Sequence, residues 1–149
     1  GTNELAVKGC AEIISLIDIP FDHVCCPVGT GGTIAGIIAS LTENQKAMGF
    51  SVLKNGEFLK KEIQKLIPSS SSPAGVNTIA KYHFGGYAKY TSALLNFISE
   101  FEKTNGIPLD QVYTGKMMFG IYDLIKKNHF PKKSTIIAIH TGGLQGKLP

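Results

Sequence analysis

Apolar positions fall in two rhythms along this chain. Short continuous apolar runs alternate with stretches in which apolar residues recur every three or four positions. Across residues 4–16, Leu5, Ala6, Cys10, Ile13 and Ile14 keep helical spacing. Thr2 or Asn3 is placed to cap that helix, and Glu4 in its first turn complements the dipole. A turn at Ile19-Pro20-Phe21-Asp22 leads into residues 21–26, apolar enough for a parallel strand covered on both faces. Residues 34–41, apolar and small, predict a helix. Residues 42–49 read as a polar break and 51–53 as a short second strand ended by Asn55-Gly56. Residues 58–67 alternate lysines with apolar positions and predict an amphipathic helix. Residues 68–75, with four consecutive serines, predict a loop.

The second half repeats the alternation. Aromatic content makes residues 77–84 a candidate strand, broken by Gly85-Gly86. A helical stretch begins within 87–90 and carries Leu94, Leu95, Phe97, Ile98 and Phe101 on one side. It is stopped by Asn105-Gly106 and Pro108. Residues 112–116 interrupt before a helix at 117–127, and 134–140 form a last apolar strand closing on Thr141-Gly142-Gly143. Strands alternating with helices predict an α/β fold with a parallel sheet. Ligands of such sheets sit at the carboxyl ends of the strands. The turns after Cys26 and His140, with Tyr113-Thr114, are therefore candidates for one cleft.

The richest candidate chemistry is Cys26-Pro27-Val28-Gly29-Thr30-Gly31-Gly32-Thr33, between a strand and a helix. Glycines let backbone approach a ligand closely. The N–H groups of a first helical turn then face an anion, which the helix dipole favours. A plainer reading is that the glycines only tighten a βα corner. The stretch is neither a nucleoside-triphosphate P-loop nor G-x-G-x-x-G, and no acidic residue stands about 20 residues on. This disfavours a nicotinamide-dependent oxidoreductase and leaves a loop for a compact, isolated phosphate.

Composition adds bounds. The 149 residues suffice for one domain with a core. A formal charge of +4 without a dense basic cluster does not favour nucleic acid. No apolar run reaches the roughly 18 residues of a membrane span. Cys10, Cys25 and Cys26 are odd in number; Cys25 and Cys26 are adjacent and should face opposite sides of their strand. That argues against a disulfide framework and a zinc site, and predicts a reduced cytoplasmic protein without bound metal. His140, ending a strand, reads as structural. The start at Gly1-Thr2-Asn3, already like the loop before a helix, predicts a piece of a longer polypeptide.

Five motifs in order carry a resemblance: Gly1-Thr2-Asn3, Cys26 to Thr33, Gly85-Gly86-Tyr87, Val112-Tyr113-Thr114-Gly115-Lys116 and His140-Thr141-Gly142-Gly143. Together they resemble the C-terminal part of the pyridoxal-phosphate enzymes grouped as 1-aminocyclopropane-1-carboxylate deaminases and D-cysteine desulfhydrases. The resemblance implies a tryptophan synthase β-like (fold type II) architecture. Residues 1–149 would be mainly the large cofactor-binding domain, with the Schiff-base lysine in an N-terminal portion outside it. It implies that Val28, Gly29, Thr30, Gly31 and Gly32 cradle the phosphate of pyridoxal 5'-phosphate with help from Thr33, and that Thr114 faces the pyridine nitrogen. Tyr87 and Tyr113 match two active-site tyrosines. Lys116 matches no lysine that carries the cofactor.

The deaminases proper have Glu at the position of Thr114. A neutral hydroxyl cannot hold the ring nitrogen protonated as a carboxylate would, which tilts the expectation toward desulfhydrase-like β-elimination of a small amino acid. The full-length parent is expected to be a homodimer, and cyclopropane ring opening is the alternative reaction within the family. A non-catalytic phosphate-ligand binding module is the alternative outside it.

Overall fold

The computed structural model describes residues 3–69 and 76–149. Strands β1 (His23–Val28), β2 (Lys46–Ser51), β3 (Asn77–Ile79) and β4 (Ile136–Ala138) form one parallel sheet in the order β3-β2-β1-β4. Helices α1 (Glu4–Ser15), α2 (Gly32–Ala39), α3 (Leu59–Leu66), α4 (Ser92–Asn105) and α5 (Thr114–Lys126) flank it. The expected α/β class with a parallel sheet holds. β1 is central, with β2 and β4 on either side, so the chain reverses its direction of travel across the sheet at β1. That reversal opens a crevice beyond the strand ends.

The two faces of β1 feed separate cores. Val24, Cys26 and Val28 pack with Ile34, Ile37 and Ile38 of α2, Val7 of α1 and Ile63 of α3. Cys25 joins Met48 and Phe50 of β2 against Met117 and Ile121 of α5. The two adjacent cysteines thus face opposite ways, as the strand period requires, and all three cysteines are free. Helix α2 reads Gly-Thr-Ile-Ala-Gly-Ile-Ile-Ala, a composition poor in helix propensity. Each β-branched residue costs a few tenths of a kcal/mol and each glycine about 1 kcal/mol relative to Ala. Burial of three isoleucines, each at most 1% exposed, returns about 1.5–3 kcal/mol apiece, and burial wins. Gly36 is there because α1 crosses it: a Cβ would run into the Val7 carbonyl and lie 2.7 Å from Cys10 Cβ.

Asn3 caps α1, its side chain accepting from Ala6 N at 2.8 Å. Several boundaries differ from the sequence expectation. The second strand lies at Lys46–Ser51, where a polar break was expected. Its burial hides in Ala47, Met48 and Phe50, and Gly49 is forced by Ile34 Cδ1, which a Cβ would meet at 2.6 Å. The candidate strand at 77–84 stops at Ile79, and residues 82–88 are turns with Phe84, Gly85, Gly86 and Ala88 at positive φ. Helix α4 starts only at Ser92, capped by the Thr91 hydroxyl. Helix α5 begins at Thr114, so the stretch read as an interruption contains its first turn. The loop expected at 68–75 lies largely outside the described residues.

Candidate functional site

At its carboxyl end β1 runs into the glycine corner, and α2 starts at Gly32 with Gly31 (φ +92°) as its left-handed cap. A Cβ at Gly31 would lie 2.6 Å from Ile63 Cγ1, so both space and backbone demand glycine. Among the described residues, the backbone N–H groups of residues 29–34 donate to no protein acceptor. They line a cavity of about 360 Å³, walled by Pro27, residues 28–34, Tyr113, Thr141, Gly143 and Gln145. Free amides converging at a helix N-terminus on an open cavity are the chemistry of an oxyanion receptor. The residues present therefore fit a phosphate group.

The opposite wall comes from the start of α5. Asp110, 1% exposed, gathers that turn: Oδ2 accepts from Val112 N and Tyr113 N at 2.7 Å, and Oδ1 accepts from Thr114 N at 2.8 Å. Tyr113 is thereby aimed at the glycine corner, its Cε1 3.6 Å from where a Cβ on Gly29 would stand. Its hydroxyl donates to that of Tyr87 at 3.3 Å, with the rings edge to face at 6.1 Å. The bond to Tyr87, with burial, pushes the Tyr113 hydroxyl up to about 12. Tyr113 therefore holds its proton at neutral pH.

The structure brings together Val28, Gly29, Thr30, Gly31, Gly32, Thr33 and Tyr113, with Tyr87 joined through the tyrosine pair. It does not bring Thr114 to the cavity wall. That residue is fully buried, its hydroxyl donating to Asp110 Oδ1 at 2.7 Å and accepting from Asp110 N at 3.0 Å. The hydroxyl on the wall beyond β4 belongs to Thr141, to which no role was given from sequence. The available signal was its place just past the end of β4, beside the strand that ends in the glycine corner. His140 fixes that turn: its Nδ1 accepts from Gly142 N at 3.2 Å, so Nε2 carries the proton and donates to the Pro108 carbonyl at 2.8 Å. Both ring nitrogens of His140 are thus engaged with backbone groups. Among the described residues no cluster of His, Cys, Asp and Glu is arranged to hold a metal, and no helix is long and apolar enough to cross a membrane.

Comparison with known proteins bears on these features. Residues 3–142 match the family described as pyridoxal-phosphate dependent enzymes. A Pyrococcus horikoshii protein provisionally named a 1-aminocyclopropane-1-carboxylate deaminase is 33% identical over 148 residues, covering 94% of this chain and 45% of its own length. The Arabidopsis thaliana protein named a bifunctional, mitochondrial D-cysteine desulfhydrase/1-aminocyclopropane-1-carboxylate deaminase is 35% identical, covering 98% of this chain and 40% of its own. A crystal structure described as an ACC deaminase homologue superposes with a TM-score of 0.80 at 29% identity, over 98% of this chain and 48% of that one. The chain thus spans a little under half the length of the relatives it matches.

Proposed function

This chain belongs to the family of pyridoxal-phosphate dependent enzymes, and from that premise we propose that it is the C-terminal, phosphate-gripping portion of an enzyme that cleaves a small amino acid. The observation that carries the reading is the set of unpartnered amides at residues 29–34 facing a cavity. When bound, pyridoxal phosphate supplies the electron sink that lets a bond at the substrate's α-carbon break. The chain's own residues do the rest of what can be assigned. The amides of the glycine corner bind the phosphate and the dipole of α2 adds to their pull. Tyr113 walls the site above Gly29, and its hydroxyl keeps its proton, which it donates to Tyr87. Tyr87 orients that hydroxyl. The lysine that anchors the cofactor is assigned to an N-terminal portion of the full-length protein, which in this reading works as a cytoplasmic homodimer.

For the substrate, the reading is desulfhydrase-like β-elimination: D-cysteine and water give pyruvate, ammonia and hydrogen sulfide. Support comes from the cavity lining among the described residues, which contains no carboxylate. Asp110, beside Gly143, has both oxygens occupied by the α5 turn. The hydroxyl on that wall, from Thr141, is neutral and cannot hold a ring nitrogen protonated as an acid would. Ring opening of 1-aminocyclopropane-1-carboxylate to 2-oxobutanoate and ammonia is the competing reaction.

The full-length protein should be purified, scanned for the visible absorbance of bound pyridoxal phosphate, and offered both substrates. Pyruvate with sulfide from D-cysteine is the expected outcome. Turnover of the cyclopropane substrate alone would move the reading to deaminase, bound cofactor without turnover of any amino acid would leave a binding module, and absence of cofactor binding would overturn the reading.

A further inference from the structure

Among the described residues Lys116 is the one lysine buried to 1% exposure, and it does not line the cavity. It stands in the first turns of α5, three residues after Tyr113. Its Nζ donates 2.8 Å to the backbone carbonyl of Gly86. That carbonyl also accepts from Lys89 N at 3.1 Å, while Gly85 N is held at 3.0 Å by His83 Nδ1 and Gly86 N at 3.1 Å by the His83 carbonyl. The loop so tied carries Phe84 at φ +53°, Gly85 at +101°, Gly86 at +121° and Ala88 at +56°. Two of these are non-glycine residues in the left-handed region, so the loop does not hold its shape by backbone preference. Tyr87 sits at its centre, 57% exposed, with its hydroxyl on Tyr113.

The other end of the tie is firm. Asp110 fixes the turn that carries Tyr113, Gly115 N donates 2.8 Å to the Asp110 carbonyl, and a Cβ at Gly115 would meet Ile98 Cδ1 at 2.5 Å. Lys116 therefore projects from a helix start that cannot swing. Desolvation pushes its ammonium down to about 8, partly opposed by the nearby Asp110 carboxylate. An ammonium kept at that cost and spent on one backbone carbonyl needs a reason in what the carbonyl belongs to.

We propose that Lys116 is a positioning residue: its buried amino group, an N–H donor to the Gly86 carbonyl whether charged or neutral, fastens the 84–88 loop to the start of α5 and so keeps Tyr87 paired with Tyr113 at the mouth of the cofactor cavity. The consequence for turnover rests on the cavity holding pyridoxal phosphate and an amino acid, as proposed above. The pairing itself does not, and the test separates the two.

In the full-length protein, Lys116→Met and Tyr87→Phe are compared by two readouts. The first is the alkaline titration of tyrosine followed by near-ultraviolet absorbance, with Tyr113→Phe assigning the relevant step and Tyr82 as the internal control. Both variants should bring the Tyr113 titration from about 12 back toward the ordinary phenol value of about 10 and leave Tyr82 where it is. The second is steady-state kinetics. KM should rise by about 10–150-fold, the range expected for loss of one hydrogen bond to a charged group, with little change in kcat or in cofactor affinity. The double variant should lose no more than the worse single one, because both act on one pairing. Cofactor binding without turnover in the unmutated protein would refute the reaction proposed above and leave the titration as the test of Lys116. A Tyr113 titration that stays at about 12 in Lys116→Met overturns the proposal. Should that variant not fold, Tyr87→Phe, which removes one hydroxyl, decides: an unshifted Tyr113 titration or an unchanged KM there overturns it equally.

Discussion

The glycine corner makes the sharpest quantitative demand on the sequence, at Gly31. Replacing it with Ala asks an L-residue to adopt φ +92°, which costs about 1–2 kcal/mol. It also places a methyl 2.6 Å from Cγ1 of Ile63, a side chain with no exposed surface, and overpacking of that kind costs about 1–3 kcal/mol. Together Gly31→Ala should lose about 2–5 kcal/mol, a large part of the roughly 5–15 kcal/mol that a domain possesses. In a protein of this size or somewhat larger that is a fall in Tm of roughly 4–20 °C. The strain has a second outlet: the corner can rotate away from Ile63, which turns an amide off the phosphate. One charge-assisted bond lost is about 1.5–3 kcal/mol, or roughly 10–150-fold in cofactor affinity. The assay is therefore double: thermal unfolding of the full-length protein without cofactor, and cofactor titration by absorbance. A companion substitution, Ile63→Ala, removes the clashing atoms and itself costs about 2–5 kcal/mol as a cavity. The pair should be less destabilised than the sum of the singles, with only the φ cost of position 31 added to the cavity. A Gly31→Ala protein with unchanged Tm and unchanged affinity would refute the argument that this corner is held taut between Ile63 and its ligand.

Two further expectations follow from the neighbouring elements. Asp110→Asn replaces one carboxylate oxygen by a donor facing two N–H groups, or a hydroxyl and an N–H, of the α5 turn; it should cost about 1–3 kcal/mol in a urea midpoint and weaken substrate binding through Tyr113. Burial pushes the Cys25 thiol up to about 12 and raises that of Cys26 further, so their contribution is complete below the ordinary thiol value of about 9. It should be lost as pH climbs from there toward 12, because the unfolded chain sheds protons the folded one keeps. Lys116 has the opposite sign between about 8 and 10.5, gaining stability as pH rises, so Lys116→Met should make the alkaline loss steeper.

How much of this was legible in the chain depended on whether the decisive contact lay along the chain or across it. The glycine corner was readable as a strand-to-helix turn because its signal is local: an apolar run, glycines and threonines, then an apolar helix, with the free amides at those same positions. The cysteines' opposite facing followed from the period of a strand alone. β2 was expected at 51–53, five residues late, because Gly49, a poor strand former, is set by the approach of Ile34 from α2, a tertiary demand that leaves no local trace. Residues 80–84 looked like the end of a strand because their aromatics suit one; the turns found there run on into a loop whose Gly86 carbonyl is held by Lys116, thirty residues on. Thr114 lies off the cavity wall for a related reason. A hydroxyl in the first turn of a helix has a near partner available, the carboxylate of Asp110 four residues back, and both of its hydrogen-bonding directions are consumed there. Thr141 leaves a strand end, where the chain has no such partner within a turn, and so its side chain remains on the cavity wall. Two threonines in motifs of equal prominence are thus told apart by which one the adjacent backbone and side chains can satisfy, and that contest is decided in three dimensions by Asp110.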